Sequence, residues 1–111
     1  MKFALLYVYD PTRTSPSEGE VEDWMAFDAV VRDSGAFVHE AGFHSRDEGR
    51  VVRVRDGAAT VEKEPAAPAA NTVAGYYVVE ADDIDAACDL AARLPTAAYG
   101  YVEVRRVVEF G

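Results

Sequence analysis

The run from Gly75 to Pro95, GYYVVEADDIDAACDLAARLP, constrains the fold of this chain more than any other segment. Its first residues are aromatic and β-branched, which suits a central strand over Val73 to Glu80. Asp82 or Asp83 then supplies a helix cap, and Pro95 supplies a stop. Between cap and stop, Ile84, Ala87, Cys88, Ala91 and Leu94 recur at helical spacing. Such a stripe faces a core, with Cys88 as a small buried residue. A last strand over Tyr99 to Val108 follows at once. A strand, a helix and a returning strand form one half of a split βαβ arrangement.

The first half of the chain repeats the pattern. Phe3 to Tyr9 is apolar and β-prone, and Asp10 to Ser17 is a loop broken by Pro11 and Pro16. Ser17 with Glu20 reads as a capping box, and Glu18, Glu20, Glu22 and Asp23 favour the positive end of the helix dipole. Val21, Trp24, Met25, Phe27, Val30 and Val31 predict the buried stripe of that helix, which ends at Ser34-Gly35. Ala36 to Phe43 reads as a second strand. Arg50 to Arg55 and Ala59 to Lys63 read as a hairpin turned at Asp56-Gly57. Glu64 to Thr72 is a Pro/Ala-rich loop without catalytic groups. The order predicts an α+β domain, an antiparallel sheet with two helices on one face.

Composition narrows what such a domain can do. At 111 residues it is a single domain, residues 1–111. A net charge of −9 speaks against nucleic acid and against anionic membranes as partners. One cysteine excludes an intrachain disulfide and is compatible with a reducing compartment. No signal-peptide pattern or apolar run of roughly 18 residues is evident, so the expectation is a cytoplasmic protein. In the last strand Val102 and Val104 share one face, and Tyr101, Glu103 and Arg105 share the other. Two helices can cover only one of these faces. A homodimer that packs two sheets face to face would cover the second.

Several segments resemble the YCII-related family, in its branch named for a DGPF motif. They are Met1 to Leu6, Ser34 to Ala36, Val52 to Gly57, and above all Gly75 to Glu80, Asp82 to Ala87, Ala91 to Pro95 and Tyr99 to Arg105. The resemblance implies a ferredoxin-like fold that dimerises into an α+β barrel. It also implies relatives with dehydrochlorinase-type chemistry through a His/Asp pair, and others associated with extracytoplasmic-function sigma factors. The chain departs from the motif itself. Counting back from Gly75 places Lys63, Glu64, Pro65 and Ala66 on Asp-Gly-Pro-Phe, so only the proline matches. Pro68, Ala70 and Asn71 stand where charged residues follow in the family.

The candidate chemistry is sparse. His39 and His44 are the only histidines, and a separation of five puts them on opposite faces of a strand, so no metal site is expected. Neither lies in the first helix, where the family resemblance places its active histidine. His44, beside Arg46, Asp47 and Glu48, is a surface residue or a general base. Glu103 and Arg105 are a structural ion pair or an anion-binding couple. The site expected from these residues lies on the sheet face away from the helices. It comprises Glu103, Arg105 and Tyr77, with His44 or Glu40 from the second strand, and takes a small anionic ligand with no cofactor. The leading reading is a dimeric, non-catalytic or ligand-binding module. The alternatives are a lyase-like or hydrolytic enzyme on a small anionic substrate, aromatic or not, and a regulatory partner of a sigma factor.

Overall fold

The computed structural model describes residues 1–9 and 20–110. The expected Ser17 cap and the loop prolines Pro11 and Pro16 lie outside the described residues. The elements run β1 (Lys2–Val8), α1 (Glu20–Asp33), β2 (Phe37–Gly42), β3 (Val51–Arg55), β4 (Ala58–Glu62), β5 (Val73–Glu80), α2 (Ile84–Ala91), α3 (Thr96–Tyr99) and β6 (Tyr101–Arg106). Four strands form one sheet in the order β2-β5-β1-β6, with every neighbouring pair antiparallel. The connection through α1 passes over β5, and the connection through α2 passes over β1. Two such crossovers of the same hand place both helices on one face.

That face holds the core. Phe3, Leu5 and Tyr7 of β1 and Tyr77 and Val79 of β5 meet Phe27 and Val31 of α1 and Ala87, Ala91 and Leu94 at α2. The register explains the selection, because Leu5 stands opposite both Tyr77 and Val104. Odd residues of β1 therefore point toward the helices, and Ala4 and Leu6 point away.

Local signals explain most boundaries. The Asp83 carboxylate accepts from the Ala86 amide at 2.8 Å and so caps α2. Gly35, at φ 78°, ends α1 in the left-handed conformation that glycine adopts without a Cβ penalty. Asp56 and Gly57 both have positive φ, the signature of a type I′ turn, and they join β3 to β4. The hairpin stands apart as a separate two-stranded sheet.

Three expectations are corrected. On α1 the buried set is Glu20, Phe27 and Val31, with Trp24 half-buried, whereas Val21 and Met25 are 60% and 67% exposed. The helix carries apolar residues around too wide an arc for the sheet to cover, and the aromatic residues take the contact. On α2, Ile84 and Cys88 are exposed, because Ala87 and Ala91 lie against the sheet instead. Finally, the second helix ends at Ala91, before the expected stop at Pro95, and Pro95 instead begins a further helix. Its fixed φ suits a first helical turn, so 96–99 coil into α3 and β6 starts at Tyr101.

Candidate functional site

On the sheet, described titratable side chains gather in two places, one on each face. On the helix side the network centres on Asp28. This residue interrupts the apolar stripe of α1, with Trp24 and Phe27 before it and Val31 after it. The Tyr77 hydroxyl donates to Asp28 Oδ1 at 2.9 Å. Arg32, one helical turn later, donates from Nε to Oδ2 at 2.6 Å. The Arg32 guanidinium also lies 3.9 Å from the centre of the Phe37 ring, a cation–π contact with β2. Glu40 stands opposite Tyr77 in the β2–β5 register and adds its charge to the cluster.

The electrostatics follow from these contacts. The hydrogen bond from Arg32 holds the Asp28 carboxyl below its ordinary range, and the bond from Tyr77 acts in the same direction. Burial raises the Tyr77 phenol, and its bond to ionised Asp28 raises it further. Tyr7 is pushed up to about 12 by burial, with smaller contributions from Tyr9 and Glu40. Both phenols are therefore protonated at neutral pH, and Asp28 is an ionised acceptor already engaged twice. Asp28 and the two phenols orient side chains well but supply no base that titrates near neutrality.

Beside this network lies an aromatic floor. The Tyr7 ring packs 4.9 Å from Trp24, and Tyr9 stacks on Tyr99 at 6.1 Å. The Tyr99 hydroxyl donates to Glu20 Oε1, which accounts for a buried carboxylate in the first turn of α1.

The other face is open. Ala4 and Leu6 of β1 and Tyr76 and Val78 of β5 lie there half-buried, with no described helix over them. Glu103 and Arg105 project from the edge strand β6 beside them, opposite Leu6 and Ala4 respectively. Both are exposed, and neither has an ion-pair partner among the described residues. Tyr76 packs against His39 and Phe43 at the opposite edge, with ring centres 5.8 and 6.0 Å away.

The structure thus divides the residues singled out in the sequence. Glu103 and Arg105 share the open face. Tyr77 and Glu40 lie together on the helix face. His44 lies beyond the end of β2, 93% exposed and 3.8 Å from Glu48 Oε2. The division has a specific cause. The β2–β5 register slips by one residue between Phe37 and His39. Such a bulge reverses which side chains point where, so Glu40 falls on the same face as Phe37. Asp28 and Arg32 were missed altogether. The available signal was a carboxylate in an apolar helical stripe, followed at i+4 by an arginine.

Asp28 gives a pH prediction. A carboxyl whose pKa is depressed on folding contributes stability above its unfolded value of about 3.9, and loses it as pH falls through the lower folded value. Asp28→Asn should therefore lower the urea midpoint at pH 7. The gap between variant and parent should close as the pH is taken below about 4. An equal gap at pH 7 and pH 3 would show that the Asp28 charge contributes nothing.

An antiparallel β2-β5-β1-β6 sheet with paired crossovers defines a ferredoxin-like α+β domain. The sequence profile described as the YCII-related domain matches residues 1–111, and the chain belongs to that family. No match was found among curated proteins. Among the described residues, no cluster of histidine, cysteine, aspartate and glutamate is arranged to hold a metal ion. No described helix is long and apolar enough to cross a membrane.

Proposed function

We propose that this YCII-related chain is a homodimeric module that binds a small anionic molecule and does not turn it over. The observation that carries this reading is the open sheet face. Among the described residues, none of the helices covers its half-buried apolar residues, and Arg105 stands at their margin. A second copy packed on that face would bury Leu6, Tyr76 and Val78 and close an α+β barrel with Glu103 and Arg105 at the rim.

Three further facts support a second copy as the occupant. The radius of gyration is 15.9 Å, whereas a compact chain of this length has about 13 Å. The molecule is flat, with principal extents of 47 × 43 × 18 Å. The hairpin β3–β4 also has an apolar face. Val52 pairs with Val61 and Val54 with Ala59, and the three valines are 58–65% exposed. A free two-stranded hairpin is marginal in water and is stabilised by packing on something else.

Binding is favoured over turnover because the ordered carboxylate and phenols on the helix face are engaged or protonated, as described above. The loop 63–66, aligned with the motif of the DGPF branch, retains only Pro65 and carries no such motif chemistry here. Arg105→Ala tests the reading, with benzoate as the simplest aromatic carboxylate probe. Benzoate affinity, followed by calorimetry, should fall about tenfold or more on loss of a charge-assisted pair, while the dimer persists. Unchanged affinity in the variant would contradict the assignment of Arg105.

A further inference from the structure

A second cationic feature lies where the base of the hairpin meets the loop leading into β5. A notch of about 260 Å³ opens there, lined by Arg46, Arg50 and Lys63 together with Ala67, Asn71 and Thr72. No carboxylate lines it. This is unexpected in a chain with 20 acidic and 11 basic residues. Like charges brought together without a counterion repel, and a bound anion relieves that repulsion.

The notch is also built, because its donors are held in place. Arg46 Nη1 donates to Thr72 Oγ1 at 2.5 Å, and Nη2 donates to the Ala67 carbonyl at 3.0 Å. Thr72 Oγ1 in turn donates to the Pro68 carbonyl at 3.3 Å. These bonds fix the guanidinium plane and use two of its five N–H groups. Arg50 makes one bond, from Nη1 to the adjacent Gly49 carbonyl at 2.7 Å. Asn71 accepts from the Tyr101 hydroxyl through Oδ1 at 3.2 Å, which leaves its Nδ2 as a donor. Lys63 has no ion-pair partner among the described residues and presents a mobile point charge. A rigid fork, a second guanidinium, an ammonium and an amide donor form a set suited to a tetrahedral oxyanion.

We infer that this notch is an anion subsite for a phosphoryl group, distinct from Arg105 and independent of the ligand proposed for the sheet face. Arg46 serves as the fixed element that also latches the loop, and Arg50 and Lys63 supply the remaining charge. The lining carries three cations and no carboxylate, so a doubly charged anion gains more there than a singly charged one.

The test is titration of the full chain with sodium phosphate at pH 7.5, at ionic strength held constant with sodium chloride, followed by amide NMR shifts. Saturable shifts should be confined to the amides around residues 46–50 and 63–72. Arg50→Gln and Lys63→Gln should each weaken phosphate roughly tenfold, and the double variant more. Arg46 is left intact because it holds the loop. Far-UV circular dichroism verifies that the variants fold, and Arg105→Ala should leave phosphate binding unchanged. The inference is overturned if no shifts exceed those from chloride alone. It is equally overturned if the double variant binds phosphate as tightly as the parent, or if Arg105→Ala abolishes the effect.

Discussion

Gly75→Ala should destabilise the fold by about 3 kcal/mol, the upper range for forcing atoms into a packed interior. Tyr7 of β1 stands opposite Gly75 of β5, and Gly75 in turn stands opposite Gly42 of β2. The Tyr7 side chain reaches across the glycine lane toward β2. A Cβ on Gly75 would overlap the Tyr7 hydroxyl and ring, and would lie 2.6 Å from the Ala41 carbonyl oxygen. Neither neighbour can yield easily. The tyrosine is packed against Trp24, and the carbonyl belongs to a strand. Gly42 offers an internal control. A Cβ there meets only the tip of Tyr7 at 3.5 Å, an ordinary contact. Gly42→Ala should therefore cost less than about 1 kcal/mol, since alanine also restricts the unfolded chain. Urea unfolding measures both variants. Tyr7→Leu should recover part of the Gly75→Ala loss in the double variant, because the two side chains compete for one space. Equal effects at Gly75 and Gly42 would refute the packing argument.

Leu6→Asp should split the proposed dimer while the monomer stays folded. Leu6 points away from the helices and lies between Tyr76 and Glu103 in the sheet register. In a single copy it is only half-buried, so a carboxylate there retains access to water and costs the monomer little. Between two sheets it would be an unpaired buried charge beside Glu103. The dimer dissociation constant should rise by about 100-fold or more, equivalent to roughly 2.8 kcal/mol. Sedimentation velocity over a concentration series reads the shift, and circular dichroism reports the fold. Leu5→Asp, one residue away on the core face, should unfold the chain. The contrast between the two neighbours separates an interface residue from a core residue.

Much of this architecture was legible in the residues. Asp83 caps the second helix, Asp56-Gly57 makes the hairpin turn, and strand alternation puts Glu103 and Arg105 opposite Val102 and Val104. Each of these signals is local, set by one residue's backbone preference or by a period of two. What could not be read depends on contacts between distant segments. Trp24 and Phe27, rather than Val21 and Met25, face inward because tyrosines 7 and 77 are there to receive them. The placement of Glu40 depends on a bulge in β2, and no glycine or proline marks that bulge in the sequence. The Asp28–Arg32 pair is visible as an i,i+4 spacing, but its third member, Tyr77, lies 49 residues away. The Arg46 latch likewise spans 26 residues to Thr72. Local patterning reaches the elements, whereas clusters built across the sheet become visible only once the register is known.

The central claim is that two copies close the open sheet face, and the molar mass in solution tests it most directly. Light scattering coupled to size-exclusion chromatography at micromolar concentration should give about 24 kDa, twice the 12.1 kDa of the chain. A monodisperse 12.1 kDa species that persists as the concentration is raised tenfold would contradict the account.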